Sequence, residues 1–198
     1  MPSFSEVLQS KFAGLAALSP AQIELLLAHY ELLNRWNRSL NLTSIRTLEE
    51  AVERHYCESL FAAIQLPEQG TIADIGSGAG FPGIPIAIMR PKCAVALIES
   101  HQRKAAFLKE ASRGLRNVRV LARRAEDLLE SFDWVVSRAV RYKDIAPTIR
   151  QLASNAELLT GEAQESEMPE FAWQQPILLP WGDHRHLWIG RSRFHVER

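Results

Sequence analysis

A glycine-rich stretch between an apolar run and a helix-like run constrains this chain more than any other feature. It reads Asp74-Ile75-Gly76-Ser77-Gly78-Ala79-Gly80-Phe81-Pro82-Gly83. Glycines permit positive φ angles and let a ligand approach the backbone closely. Free N–H groups at the start of the next helix favour a negative or electron-rich group. The stretch therefore predicts a strand, a ligand-binding turn and a helix, as found at the carboxyl edge of parallel sheets.

The hydrophobic pattern changes near Gly70. Before it, apolar residues recur at helical spacing, and two capping boxes, Ser19–Gln22 and Thr47–Glu50, predict helix starts. After it, short apolar runs alternate with amphipathic stretches, which is typical of β-α-β units and a mostly parallel sheet. The pattern predicts an N-terminal helical region, residues 1–67, followed by a Rossmann-like α/β domain, residues 68–198.

The elements of the second region follow from these runs. The predicted strands are Thr71–Ile75, Ala94–Glu99, Val118–Leu121, Trp134–Ser137 and Glu157–Thr160. The predicted helices are Gly83–Met89, Gln102–Gly114 and Asp144–Ala153. Ile177–Leu179 and Leu187–Ile189 are predicted to form a final antiparallel pair. Residues 161–170 are acidic and poor in apolar side chains, which predicts a loop.

Composition narrows the class of protein. The chain has 198 residues, is 46% hydrophobic and carries no net charge, so one sizeable core is expected. No apolar run reaches the roughly 18 residues of a membrane span, and the N-terminus lacks a secretory pattern, which together predict a cytosolic protein without a membrane partner. Cys57 and Cys93 lie in unrelated segments and the six histidines lack metal-ligand spacing, so we expect neither a disulfide framework nor a metal site.

Two classes of ligand compete for the glycine stretch. Gly78 to Gly83 match the dinucleotide fingerprint G-x-G-x-x-G, which favours NAD. Asp74 argues against a diphosphate, because a carboxylate beside the turn would repel it and would attract the cationic groups of S-adenosylmethionine. Glu99, at the end of the second strand, is predicted to accept hydrogen bonds from ribose hydroxyls, which both ligands carry.

Further candidates end the next two strands. Ala125 and Glu126 follow the third strand, where they could meet an adenine edge, although simple helix capping by Asp127 explains this segment equally well. Arg138 ends the fourth strand and is predicted to reach cofactor or substrate, with a surface ion pair as the alternative.

Positive charge is concentrated locally. Residues 101–124 contain eight Lys or Arg and one acid, Glu110, a pattern that suits phosphate or a solvated helix face. The candidate phosphate-binding residues are Arg35, Arg54, Arg103, Lys104, Arg123 and Arg124, with Arg38 and Arg46 beside them.

Taken together, these motifs resemble the bacterial 16S ribosomal RNA guanine-N7 methyltransferases, the RsmG or GidB family. The resemblance covers about residues 30–140 and rests on these stretches: Trp36-Asn37, Asn41-Leu42-Thr43-Ser44, Arg54-His55 with Ser59, Asp74 to Pro85, Leu97-Ile98-Glu99-Ser100, Lys104, Phe107-Leu108, Arg124-Ala125-Glu126 and Ser137-Arg138-Ala139.

The resemblance implies a class I S-adenosylmethionine-dependent methyltransferase fold: an α/β, seven-stranded, mostly parallel sheet with helices on both faces. It implies methylation of N7 of the guanine at position 527, in conventional numbering, of 16S ribosomal RNA, with that RNA or the small ribosomal subunit as partner and a monomeric enzyme. The implied cofactor contacts are Gly76, Phe81, Ala125, Glu126 and Arg138, and the physical argument adds Asp74, Gly78 and Glu99.

The expected reaction requires no acid or base side chain. Guanine N7 has a free lone pair and no proton, so positioning suffices and no general base is needed. Arg138 is the candidate catalytic, base-orienting residue. His55 and Cys57 lie two residues apart on a predicted helix, do not face each other and are interpreted as structural.

One departure from the family leaves alternatives open. The family usually has Leu-Lys-Gly on the fifth strand, whereas this chain has Leu159-Thr160-Gly161. An RNA contact is expected to be lost there. The alternatives are an NAD-dependent oxidoreductase, a non-catalytic RNA-binding or ribosome-assembly protein, and a methyltransferase with a protein or small-molecule acceptor.

Overall fold

The computed structural model describes residues 2–138, 142–161, 171–182 and 184–193. Its helices are α1 (Phe4–Phe12), α2 (Pro20–Leu40), α3 (Leu48–Ala51), α4 (Glu58–Gln65), α5 (Gly83–Met89), α6 (Gln102–Ala111) and α7 (Tyr142–Leu152). Its strands are β1 (Gln69–Ile75), β2 (Lys92–Ile98), β3 (Val118–Leu121), β4 (Phe132–Arg138), β5 (Ala153–Thr160), β6 (Phe171–Trp173), β7 (Ile177–Leu178) and β8 (His186–Ser192). Residues 162–170 of the predicted loop lie outside the described residues. So does Ala139, which belongs to one of the motifs.

The strands form one mixed sheet in the order β3-β2-β1-β4-β5-β8-β6. β1 to β5 are parallel to one another, and β8 pairs antiparallel with β5. The predicted antiparallel pair near the C-terminus is confirmed, with Ile177 opposite Leu187. The described residues form eight strands and not the predicted seven: the additional strand is β6, which shares with β7 the edge of β8 that β5 leaves open.

Helices cover both faces of the sheet because successive strand residues point to opposite sides. Ile72 of β1 packs with α1, α2, α4, α5 and α6 in one core, whereas the adjacent Ala73 packs with α7 in the other. The predicted α/β fold with helices on both faces is confirmed. The division at residue 67 stays a prediction, although α4 ends just before it at Gln65.

The N-terminal helices begin largely where the sequence predicts. Ser19 and Gln22 form the complete capping box at the start of α2. At α3 the side chain of Thr47 accepts from the Glu50 N–H, but the Glu50 carboxylate contacts Arg54. Between α3 and α4 the helix widens into a π-turn, Val52–Cys57, which the sequence pattern does not indicate.

Boundaries near β5 and α6 differ from the predictions. β5 begins at Ala153, four residues before the predicted start, because Asn155 already pairs with Trp134 of β4 and Arg191 of β8. Its polar first residues carry no strand signature, so pairing across the sheet decides their conformation. α6 ends at Ala111, three residues early, and the chain then turns towards β3.

Candidate active site

Four strands bring the predicted site residues to one edge of the sheet. Because β1, β2, β3 and β4 run parallel, the segments after them share the carboxyl edge. The glycine loop, residues 76–82, follows β1; Glu99 follows β2; Ala125 and Glu126 follow β3; and Arg138 ends β4. The expectation that these residues converge is therefore met by the topology, and their individual roles remain predictions.

The glycine loop folds tightly onto the sheet. Gly76, Gly78 and Gly80 have φ angles of 73°, 53° and 89°, which glycine adopts without strain. The N–H groups of Gly76 and Ser77 donate to the Ile98 carbonyl at 3.0 and 3.1 Å, fixing the loop to the end of β2. A Cβ on Gly78 would have only the Gly76 carbonyl oxygen near it, at 3.7 Å. The loop therefore leaves open space above Gly78 for a ligand.

Asp74 lies beneath the loop and not on its surface. Its carboxylate is fully buried, and its Oδ2 accepts from the Gly83 N–H at 3.0 Å. Burial raises the pKa of this carboxyl to about 7, so only part of its negative charge is present at neutral pH. The structure gives Asp74 a bracing position between β1 and the start of α5, and a direct contact with a cofactor stays a prediction.

Glu99 joins the two loops that form the site. Its Oε2 accepts from the Gly78 N–H at 3.0 Å, and its Oε1 accepts from the His101 N–H at 2.7 Å. Each carboxylate oxygen has a second acceptor position. Glu99 can therefore fix the glycine loop and still accept hydrogen bonds from the hydroxyls of a bound ribose.

The segment after β3 presents both a buried and an exposed residue. Ala125 begins a 3₁₀ turn, Ala125–Asp127, and packs in the α7-side core. Glu126 is exposed and its Oε1 accepts from Arg124 Nη1 at 3.2 Å. Glu126 is therefore accessible at the carboxyl edge, and its contact with an adenine stays a prediction.

The Phe81 ring of the glycine loop packs in a cluster with the rings of His29, His55 and Tyr56. The Phe81 ring stacks on His55 at 4.5 Å between centroids and meets the edges of His29 and Tyr56 at 5.1 Å each. His29 holds the loop directly, because its Nε2 lies 3.0 Å from the Ala79 carbonyl oxygen while its Nδ1 lies 3.0 Å from the Tyr56 hydroxyl. A carbonyl only accepts, so Nε2 carries the proton and Nδ1 accepts from Tyr56.

Replacing His29 by glutamine is expected to make the protein less sensitive to acid. Burial lowers the pKa of His29 to about 4, so below pH 6.5 the unfolded chain binds a proton that the folded chain does not, and stability is lost as the pH falls. Between pH 7 and pH 5 the parent should lose about 2 kcal/mol more than H29Q. Urea unfolding at both pH values measures this, and parallel losses in the two proteins would contradict it.

Arg138 lies at the junction of the aromatic group and the π-turn. Its Nη1 donates to the Arg54 carbonyl oxygen at 2.6 Å, and its guanidinium carbon lies 5.9 Å from the Phe81 ring centroid. Burial lowers the pKa of its guanidinium to about 10, an effect that the charge of Glu58 opposes. The side chain stays positively charged at neutral pH, and its contact with a cofactor or substrate stays a prediction.

The fold divides the basic segment into two groups. Arg103, Lys104, Arg123 and Arg124 lie next to the carboxyl edge, because α6 begins there and β3 ends there; we call them the edge cations. Lys109 lies in the last turn of α6, about 8 Å from Lys104 along the helix axis, and Arg113 and Arg116 follow the end of that helix; we call these three the distal cations. Arg119 belongs to neither group, because it lies in β3 and pairs with Glu130.

The remaining predicted RNA contacts are dispersed. Arg54 is partly exposed and pairs with Glu50 at 3.2 Å. Arg35 and Glu110 line a cavity of about 290 Å³ between α2, α5 and α6. Thr160 ends β5, and its Oγ1 is buried without a hydrogen-bond partner in the part of the chain that the structure describes. Loss of an RNA contact at Thr160 stays a prediction.

Sequence reasoning missed His29 and interpreted His55 as structural. His29 is 50 residues from the Ala79 carbonyl that it contacts, so no local signal marks it. His55 belongs to a motif that the resemblance already contained, but the π-turn that places it against Phe81 has no sequence signature. Within the described ranges, no three side chains form a metal site and no helix is long and apolar enough to cross a membrane.

The strand order, together with the glycine loop at the carboxyl edge, is that of a Rossmann-like class I methyltransferase fold. Aeropyrum pernix fibrillarin, solved with natively bound S-adenosyl-L-methionine, is similar with a TM-score of 0.54 and 15% identity, over 67% of this chain and 74% of that one. A ribosomal protein L11 methylase from Lactobacillus delbrueckii subsp. bulgaricus is similar with a TM-score of 0.55 and 14% identity, over 69% and 80%. At such identities the likeness shows the fold alone.

Sequence comparison then identifies the family. The profile of GidB, rRNA small subunit methyltransferase G, matches residues 22–172. The chain therefore belongs to this family.

Individual relatives carry the name ribosomal RNA small subunit methyltransferase G. This chain is 42% identical to that of Nitrosococcus oceani, over 62% of this chain and 58% of the relative. It is 48% identical to that of Nitrosomonas europaea, over 58% and 55%, and 39% identical to that of Laribacter hongkongensis, over 75% and 72%. The chain thus spans little more than half the length of the first two.

Proposed function

We propose that this protein transfers a methyl group from S-adenosylmethionine to N7 of a guanine in 16S ribosomal RNA, acting on that RNA or on the small ribosomal subunit. The observation that carries the proposal is the carboxyl edge itself. A glycine loop, an acid that can accept from a ribose, and a charged arginine meet there in a chain that belongs to the methyltransferase G family. The expected guanine is the one at position 527 in conventional numbering.

The residues present suit this cofactor. Open space above Gly78, free acceptor positions on Glu99 and the exposed turn at Glu126 would hold its amino acid, ribose and adenine parts, respectively. Phe81 and Arg138 border the same edge. When bound, S-adenosylmethionine supplies an electrophilic methyl group on a positively charged sulfur.

Family membership favours this cofactor over NAD more strongly than the charge of Asp74 does. The charge argument assumed a carboxylate that faces the ligand, whereas the Asp74 carboxylate is buried and partly protonated at neutral pH. Its contribution to binding is indirect, through the loop that it braces.

The protein's task is to position the acceptor base. Guanine N7 presents a lone pair and carries no proton, so no side chain has to remove one, and holding the base in line suffices. Arg138 stays charged and can donate to the base edge or to a phosphate. His29 stays neutral above pH 4 because of its burial and serves the loop.

Calorimetry and RNA mapping together test the proposal. The protein should bind S-adenosylmethionine and not NAD, and should add one methyl group to small subunits from cells that lack this gene, at a single N7 position. Glu99→Gln should weaken cofactor binding at least tenfold, because an amide N–H₂ would face a backbone N–H, whereas Glu31→Gln on the exposed face of α2 serves as the matched control. NAD binding, or an unmethylated guanine N7, would refute the proposal.

RNA affinity is expected to depend on the edge cations and on salt. Replacing Arg103 and Lys104 by alanine should weaken RNA binding about tenfold and flatten its salt dependence, because fewer counterions are released. Replacing Lys109 and Arg113, which removes the same charge from the distal end of α6, should change binding less than twofold. Filter binding from 50 to 200 mM KCl measures both, and equal effects of the two pairs would contradict the division of the basic segment.

A further inference from the structure

The proposed function gives no role to the cavity between α2, α5 and α6. Its volume is about 290 Å³, close to the lower end of the range of about 300–1,000 Å³ for small-ligand sites. His29 contributes an apolar surface to it, because both of its ring nitrogens are already bonded, to the Ala79 carbonyl and the Tyr56 hydroxyl. The rest of the lining is also mostly apolar and includes Leu25, Ala28, Leu32, Ile84, Ile88 and Leu115. The cavity therefore has the size and the surface to hold the apolar part of a small molecule.

Two opposite charges border this cavity. Arg35 of α2 and Glu110 of α6 both line it, and both side chains are exposed. Neither forms an ion pair with any residue in the described part of the chain. Unpaired charges of both signs beside one apolar cavity suit a ligand that carries both signs itself.

Both charges lie at the same end of the cavity. Arg35 is adjacent in sequence to Trp36, and Glu110 follows Phe107 by one turn of α6. The Trp36 and Phe107 rings pack against each other with their centroids 5.8 Å apart, which brings these parts of the two helices together. The residues that line the cavity further from this contact are Leu25 and Leu115. A ligand would therefore place its charged groups at one end and its apolar part towards the other.

We propose that this cavity binds a free α-amino acid with a large apolar side chain. The α-carboxylate would pair with Arg35, the α-ammonium group would pair with Glu110, and the side chain would fill the apolar space. A carboxylic acid without the ammonium group would bring a like charge to Glu110, and an amine without the carboxylate would bring one to Arg35. The zwitterion complements both residues.

A ligand in the cavity would contact the side chains that support the glycine loop. His29 Nε2 lies 3.0 Å from the Ala79 carbonyl oxygen, and a Cβ added to Gly80 would lie 2.5 Å from Ile84 Cδ1. Both His29 and Ile84 also line the cavity. Filling it would restrict their movement and so stabilise the loop. This step rests on the proposed function, because it takes the loop to hold S-adenosylmethionine, and it makes the amino acid an effector that tightens cofactor binding.

Calorimetry with three matched ligands tests the role of the two charges. Phenylalanine should bind with a Kd of about 1 mM or lower. The ligand 3-phenylpropionate lacks the ammonium group and 2-phenylethylamine lacks the carboxylate, so each should bind about tenfold more weakly or worse. Glu110→Gln should weaken phenylalanine binding about fivefold or more without weakening that of 3-phenylpropionate. Equal affinities for the three ligands, or no binding of phenylalanine, would overturn the proposal.

A variant with a filled cavity tests where the amino acid binds. Ala28 lines the cavity and is exposed, so a larger side chain there can occupy the space without disturbing the core. Ala28→Phe should abolish phenylalanine binding and retain S-adenosylmethionine binding. Ala21→Phe makes the same change at another exposed position of α2, outside the cavity lining, and should retain both. Phenylalanine binding that survives in A28F would overturn the proposal. If circular dichroism shows A28F to be unfolded, the comparison of ligands in E110Q decides.

The effect on the glycine loop is measured separately. Saturating phenylalanine should lower the Kd of S-adenosylmethionine about threefold or more in the parent and leave it unchanged in A28F, and the cofactor should tighten phenylalanine binding by the same factor. An unchanged Kd in the parent would overturn the effector role. Failure of the parent to bind S-adenosylmethionine at all would instead refute the proposed function, whereas phenylalanine binding would still test the cavity.

Discussion

Replacing Arg185 by leucine is expected to destabilise the protein by about 3–5 kcal/mol. Arg185 donates twice to the fully buried Glu58 carboxylate, from Nε to Oε1 at 3.0 Å and from Nη2 to Oε2 at 2.7 Å. Removing the arginine would leave a buried charge without its bidentate partner. Urea denaturation followed by circular dichroism measures the change in the free energy of unfolding.

A double variant distinguishes the cost of leaving Glu58 unpaired from the net contribution of the ion pair to stability. In E58L with R185L no charge remains to be desolvated, so stability should return to within about 2 kcal/mol of the parent. Lys11→Ala is the matched control. It breaks the Lys11–Glu53 pair, whose side chains are 42% and 27% exposed, and should leave the urea midpoint nearly unchanged because solvent screens an exposed pair. A cost for R185L as small as that of K11A would show that this pair contributes no more than a surface one.

Gly80→Ala is expected to cost about 2–5 kcal/mol and to abolish measurable S-adenosylmethionine binding. Two effects add at this position. The backbone has a φ of 89°, which alanine adopts only with strain, and an added Cβ would lie 2.5 Å from Ile84 Cδ1 and 3.2 Å from His29 Nε2. The added Cβ would displace Ile84 and His29, which support the glycine loop, so we expect the cofactor site to lose its shape.

Two other glycines separate these effects. Gly14 has a φ of 79° but nothing within 4 Å of an added Cβ, so Gly14→Ala should cost only the strain of about 1–2 kcal/mol. Gly114 has neither a positive φ nor a neighbour within 4 Å, so Gly114→Ala should be neutral or stabilise by up to about 1 kcal/mol. Urea unfolding and calorimetry with the cofactor give the ranking. If G80A were no worse than G14A and still bound the cofactor, the supporting contacts would have no importance.

Much of the sheet is predictable because its signals are local. Short apolar runs give β1, β2, β3 and β4 within a few residues of their bounds, and Ser19 with Gln22 gives the start of α2. The glycine stretch predicts its own conformation, since side chains there would be strained or would clash. Parallel order then places the candidate residues on one edge without further information.

Which side chains are buried and which of them pair depends on contacts between residues distant in the sequence. For these features the sequence-based predictions were incomplete. The negative charge of Asp74 led us to predict that it contacts the ligand at the loop surface, yet the fold buries this side chain completely. The basic segment, continuous in sequence, is divided by the length of α6 into edge and distal cations. The short strand β6 was not predicted, because three residues carry too little pattern to be distinguished from a loop.

By itself the sequence determined the alternation of helices and strands, the glycine turn and the edge at which a ligand is expected, because these depend on interactions between residues close together in the chain. Only the tertiary structure decided which polar groups are buried and with whom they pair. His29 meets Ala79 across 50 residues, and Glu58 meets Arg185 across 127. Such pairs depend on the packing of elements that are distant in the sequence. The same is true of His55, whose pKa is lowered by burial and whose Nδ1 is buried without a hydrogen-bond partner among the described residues.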